Sequence, residues 1–110
     1  MTAVATKITF QPAGFESSWL QGEIDVDYKD LVKVFGKEHS DGDGYKVQAE
    51  WNLKFSDGTY ATIYDWKQGK NYCGSSGISK TRVRDWHIGG STPEAVKRVT
   101  QALRDAGIAV

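Results

Sequence analysis

The sequence predicts an α+β domain: an antiparallel sheet of four to five strands with two helices packed on one face, in the order β-β-α-β-β-(β)-α. Three observations lead there. Residues 45–55 alternate apolar and polar side chains without a break, "SDGT" then links them to a second β-rich run, and the chain closes on a capped amphipathic helix. The length of 110 residues fits a single domain spanning the whole sequence, with one modest core.

In order, residues 7–11 (KITFQ) alternate as a half-buried strand does, and "QPAGFESS" reads as a loop. Residues 19–26 form a second strand, with Leu20, Ile24 and Val26 on one period-two face. Asp27 is placed as a helix N-cap, and Tyr28, Leu31, Val32 and Phe35 follow at helical spacing until Gly36 stops the turn. "KEHSDGDG" is a loop. Its Asp41-Gly42-Asp43-Gly44 core lacks the downstream glutamate of a calcium loop and reads as a turn.

In the central strand Tyr45, Val47, Ala49, Trp51, Leu53 and Phe55 alternate with Lys46, Gln48, Glu50, Asn52 and Lys54. The turn that follows has two readings. A two-residue Asp57-Gly58 turn pairs Phe55 with Tyr60 and sends Tyr60, Tyr64 and Trp66 to the core. A three-residue loop with a bulge at Gly58 pairs Leu53 with Ala61 and Trp51 with Ile63. It leaves Tyr60, Thr62, Tyr64 and Trp66 on the opposite face. The bulged form is favoured because it buries Ala61 and Ile63 and keeps polar residues together.

A long polar stretch follows Trp66. Ser79 caps a short turn through Arg84, and Trp86-His87-Ile88 forms a short edge strand ended by Gly89-Gly90. Ser91 and Glu94 have capping-box spacing around Pro93. Val96, Val99, Leu103 and Ala106 make the apolar stripe of the last helix, and Gly107 ends it.

Composition excludes several classes. One cysteine permits no internal disulfide, and with two histidines it gives too few ligands for a structural zinc site. No apolar run reaches membrane-spanning length, and the first residues lack a signal-peptide pattern, so a cytosolic protein is expected. A net charge of zero argues against duplex DNA as a partner. The charge is segregated, however: Lys67, Lys70, Lys80, Arg82 and Arg84 form a basic run, and Glu16, Glu23, Asp25, Asp27 and Asp30 an acidic one.

"GSSGISKT" (74–81) approaches a phosphate loop but has Ser79 where the second glycine belongs, and the supporting βα units are missing. Lys80 and Thr81 beside exposed N–H groups remain a candidate phosphate contact. Cys73, Asp85 and His87 suggest a thiol, orienter and base, but nothing around Cys73 forms a nucleophile motif. No cofactor, metal site or catalytic group is assigned. Four tryptophans in 110 residues are the remaining signal. Trp51 belongs to the core by its alternation. Trp66 and Trp86, flanked by lysine and arginine, suit a surface that stacks a nucleobase or anchors a protein.

The Gly-Tyr-Lys-Val entry at residues 44–47, Glu50-Trp51, Asp57-Gly58, the run Ala61 to Trp66, Asn71-Tyr72 and Trp86 to Gly90 together cover about residues 41–100. In these features the chain resembles a group of small uncharacterised proteins of tailed bacteriophages and other environmental viruses. The resemblance implies a viral accessory protein working in the host cytoplasm, without catalysis. The expected function is counter-defence by sequestering a small nucleotide-like anion. Tyr64, Trp66, Tyr72 and Trp86 would stack on the base; Lys67, Lys70, Lys80, Arg82 and Arg84 would hold phosphate; and His87 would hydrogen-bond. A homo-oligomer is expected, since such pockets often close between subunits. The alternatives are an inhibitor that docks the same aromatic surface on a host protein, and a structural or assembly protein of the virion.

Overall fold

The structure, a computed structural model, describes residues 5–7, 19–38 and 46–110. Five strands, β1 (Ala5–Lys7), β2 (Trp19–Asp25), β3 (Glu50–Phe55), β4 (Tyr60–Tyr64) and β5 (Asp85–Gly90), form one sheet in the order β1-β3-β4-β5-β2. Every pairing is antiparallel. The helices are α1 (Tyr28–Phe35), the single turn α2 (Lys70–Cys73) and α3 (Glu94–Asp105), with 3-10 turns at Gly74–Ser76 and Lys80–Arg82. The α+β class and the order of the main elements agree with the expectation.

The hairpin adopts the bulged form. Trp51 pairs with Ile63 and Leu53 with Ala61, Gly58 sits at φ +91°, and the Phe55 N–H donates to Thr59 O at 2.8 Å. Glycine reaches that φ without a Cβ clash, which is why it stands at the bulge. Trp51, Leu53, Phe55, Ala61, Ile63, Trp86 and Ile88 therefore share one sheet face. They pack with Leu31 and Phe35 of α1 and Ala95, Val99 and Leu103 of α3. Burying this set is the main stabilising term. Trp51 Nε1 donates to Gly36 O at 2.8 Å and Trp86 Nε1 to Val26 O at 3.0 Å. The two indoles meet edge to face at 5.4 Å, so both bury without an unpaired N–H.

Several expectations need correction. β5 runs for six residues between β4 and β2, so it is an interior strand and not an edge. Gly89 and Gly90 belong to it. A Cβ on Gly89 would lie 2.5 Å from Thr62 Oγ1, and one on Gly90 would lie 2.6 Å from the Ala95 Cβ. Glycine there permits close approach of β4 and α3, and β5 ends at Gly90. In β2 the register shifts between Leu20 and Gly22, which parts Leu20 from the core face of Ile24 and leaves it 49% exposed. β1 is described at Ala5–Lys7, which meets the expected 7–11 strand at Lys7; residues 8–18, and with them the rest of that strand, and the Asp41–Gly44 turn, with Tyr45, lie outside the described residues.

Asp27 precedes α1 but makes no side-chain cap bond, because its carboxylate takes Arg84 instead. α3 begins at Glu94 with Pro93 at its N-cap position, and the buried stripe is Ala95, Val99 and Leu103, with Ala106 exposed beyond the helix. Gly107, at φ +84°, ends α3: its N–H donates to Arg104 O and that of Ile108 to Leu103 O, the Schellman pattern.

Candidate functional site

Antiparallel register sets one row of side chains across four strands on the face away from the helices. Glu23 opposes His87, His87 opposes Tyr64, and Tyr64 opposes Glu50. The row therefore reads carboxylate, imidazole, phenol, carboxylate. Glu23 Oε1 lies 2.9 Å from His87 Nε2, where it accepts the ring N–H. Tyr64 meets His87 edge to face at 5.5 Å. Burial, reinforced by the nearby Glu50 charge, raises the Tyr64 pKa, so its hydroxyl remains a donor at neutral pH. Asn52 and Thr62, further along the same face, are buried, and they separate the Tyr64 end from the accessible Lys54–Tyr60 pair at the other end.

Trp66 extends this row beyond the end of β4. Asp65 fixes it there: its side chain turns inward, and Oδ1 accepts the N–H groups of Gln48 at 2.8 Å and Ala49 at 3.1 Å. Alternation then turns Trp66 to the side of Tyr64. Its ring stacks on His87 at 6.3 Å with planes 27° apart, stands edge to face with Tyr64 at 6.2 Å, and is 38% exposed. Lys46 Nζ lies 5.7 Å and Lys67 Nζ 5.5 Å from the Trp66 centroid, and Lys67 Nζ is also 5.5 Å from that of Tyr72. Both lie within cation–π range. The result is a cluster of three aromatic rings and an imidazole, exposed at Trp66 and Tyr72, with two ammonium groups against the rings and a carboxylate at each end of the strand row.

Of the residues expected to bind ligand, Tyr64, Trp66, Lys67, Tyr72 and His87 come together. Trp86 does not: it alternates with His87 along β5 and is fully buried on the helix-covered face. Lys80 is drawn away to Glu38, with Nζ 2.6 Å from Oε2, while Tyr28 donates its hydroxyl to Oε1 at 2.5 Å. Arg84 binds Asp25 at 2.8 Å and also Asp27, two members of the predicted acidic run. Lys70 is exposed on α2 and Arg82 on the Lys80–Arg82 turn, and neither makes a ring or ion-pair contact with the cluster.

The phosphate-loop reading fails locally. The Gly77 N–H is bonded to Gly74 O and that of Ile78 to Gln68 O, so these N–H groups are not turned toward a ligand. The thiol–imidazole reading fails too: the Cys73 thiol donates to Lys67 O at 3.0 Å, and His87 is held by Glu23 rather than Asp85. Among the described residues no group of His, Cys, Asp and Glu has the arrangement of a metal site, and no helix is long and apolar enough to cross a membrane.

Sequence reasoning passed over Glu23, Lys46, Glu50 and Asp65. The hairpin register, once fixed, places Glu50 opposite Tyr64, so that residue was within reach. Glu23 required the β2–β5 pairing across 64 residues of sequence (87 − 23), which no local pattern announces. The chain matches no protein-family model and no curated protein sequence.

Proposed function

We propose that the protein binds a small nucleotide-like anion on the Tyr64–Trp66–His87 cluster and performs no chemistry on it. The observation that carries this reading is Trp66: an exposed indole, stacked on an imidazole and attended by two ammonium groups. A base gains about 1–3 kcal/mol by stacking on such a ring. Lys46 and Lys67 supply cations for a phosphate, and Glu23 and Glu50 supply acceptors for amino or hydroxyl hydrogens. The viral resemblance supports a role in counter-defence, with a host nucleotide signal sequestered in the cytoplasm by a homo-oligomer.

Isothermal calorimetry against cyclic di- and trinucleotides, nucleoside monophosphates and ADP-ribose tests the reading. Saturable binding by at least one, weakened tenfold or more by Trp66→Ala, is expected. Silence across the panel overturns it.

A second reading has its own observation. Trp19 is 60% and Leu20 49% exposed on β2, a strand that ends the sheet among the described residues. Exposed aromatic and aliphatic groups on a sheet edge suit a protein partner. One stoichiometric host protein captured by the wild type and lost in Trp19→Ser, with an empty nucleotide panel, would favour an inhibitor.

A further inference from the structure

Among the cations of the expected ligand set, Lys67 is the one set against the exposed rings. Lys80 and Arg84 are neutralised by carboxylates, whereas no carboxylate among the described residues pairs with Lys67. Its Nζ lies 5.5 Å from each of two exposed rings, Trp66 and Tyr72. Its backbone is also exceptional: φ is +58°, the one positive value at a non-glycine residue among the described residues. For a residue with a Cβ this left-handed conformation is strained, and such strain persists only where the surroundings impose it. Here they do so on both sides. The Lys67 N–H donates to Lys46 O at 2.7 Å, and Lys67 O accepts the Cys73 thiol at 3.0 Å. Glycine would adopt the same backbone without strain, so the lysine is held at a cost to stability, and that cost sets its ammonium beside two rings with no carboxylate partner among the described residues.

We propose that Lys67 determines the ligand class: it seats one phosphate beside a base stacked at Trp66, so that the site selects a nucleoside monophosphate over the free nucleoside. This deepens the nucleotide-binding reading and rests on it. The spacing supports a phosphate close to the ring. An ammonium 5.5 Å from the indole centroid reaches an anion one sugar away from a stacked base, and Lys46 at 5.7 Å stands near the same ring. Charge-assisted contacts from two lysines favour a phosphate, and a neutral nucleoside offers them nothing. Lys67 is thus a specificity residue, while the rings supply affinity for any base.

The test compares AMP, adenosine and inorganic phosphate by calorimetry on the wild type, Lys67→Gly and Lys67→Met, with thermal unfolding of each. The wild type should bind AMP at least tenfold more tightly than adenosine and bind inorganic phosphate more weakly than AMP. Both variants should keep adenosine affinity within about twofold and lose the preference for AMP. Lys67→Gly should also melt higher than the wild type, by roughly 2–5 °C, as the strain is relieved. Lys67→Met keeps the backbone constraint and separates loss of charge from loss of strain. A tenfold AMP preference retained in both variants overturns the assignment of Lys67 and leaves the nucleotide reading standing. Wild-type protein that binds neither adenosine nor AMP overturns the monophosphate proposal, and overturns the nucleotide reading as well when the cyclic nucleotides and ADP-ribose are also silent. Equal affinity of the wild type for AMP and adenosine overturns the monophosphate selection alone.

Discussion

At the scale of single residues, buried polar groups decide most outcomes. Glu38 lies against Lys80 and Tyr28, with its side chain 2% exposed. Removing the ammonium leaves a buried carboxylate unpaired. Lys80→Met is expected to cost roughly 2–3 kcal/mol in urea denaturation, below the full cost of breaking a buried pair because Lys80 is itself partly exposed. Tyr28→Phe, which removes one hydrogen bond to a charged acceptor, should cost about 1–2 kcal/mol. A variant that also charges the site poorly, Lys80→Glu, should be worse than either. The contrast with Lys67 shows how a basic run misleads. Lys67, Lys80 and Arg84 look equivalent in the sequence. Their roles part because Glu38, Asp25 and Asp27 are brought to two of them by long-range folding. Trp66 and Trp86 were equally alike in flanking charge, and only the sheet face each takes separates an exposed ring from a core ring.

At the scale of elements, the hairpin carries the site. The bulge at Gly58 sets which face Tyr64 and Trp66 occupy, since a slip of one residue would exchange the faces. Gly58→Ala forces a Cβ into φ +91° and is expected to cost about 1 kcal/mol, measured by thermal or urea unfolding. Space does not oppose the change, because an added Cβ meets nothing within 4 Å, so an unaffected stability would show that the turn is not the bulged form. Gly90→Ala acts by a different route. Its Cβ would press on Ala95 at 2.6 Å and lift α3 from the sheet, for roughly 1–3 kcal/mol. The hairpin was legible in the sequence because alternation and a short turn are local signals. β5 was not. Its two glycines read as a stop beyond the strand, and only the approach of Thr62 and Ala95 explains them as its last paired residues. The β2 bulge was hidden for the same reason: it is set by pairing with β5, not by the residues 19–25 alone.

At the scale of the whole molecule, charge links distant segments and predicts a stability maximum between acid and alkali. Burial alone would raise the Glu38 pKa, but the Lys80 ammonium and the Tyr28 hydroxyl outweigh it and hold the carboxyl below 4.5. Asp57, at the hairpin tip, is lowered to about 2 by Arg98 of α3, with Thr59 adding to the effect. Both groups bind protons more weakly folded than unfolded, so their contribution is complete above about pH 4.5 and is lost as the pH falls toward 2. Tyr28 has the opposite sign. Burial, with the neighbouring Glu38 charge, raises it from 10.0 to about 12, so its contribution is present below pH 10 and is lost as the pH rises toward 12. Urea midpoints measured from pH 2 to 11 should form a plateau between these limits. Lys80→Met should flatten the acid limb, and a limb unchanged by that variant would remove Glu38 from the account.

The central claim concerns place: an aromatic and cationic cluster at the end of β4 is where a ligand sits. Amide and indole chemical-shift mapping by NMR during titration with AMP reads this directly. The account predicts saturable shifts at Tyr64, the Trp66 indole N–H, Lys67, Tyr72, His87 and Glu23. The Trp51 and Trp86 indoles and the Lys80–Arg84 segment should stay still. Shifts centred instead on the groove between the hairpin tip and the start of α3, lined by Asp57, Thr59, Ser91, Thr92 and Glu94, would contradict it. So would shifts spread evenly over the basic residues without the Trp66 indole.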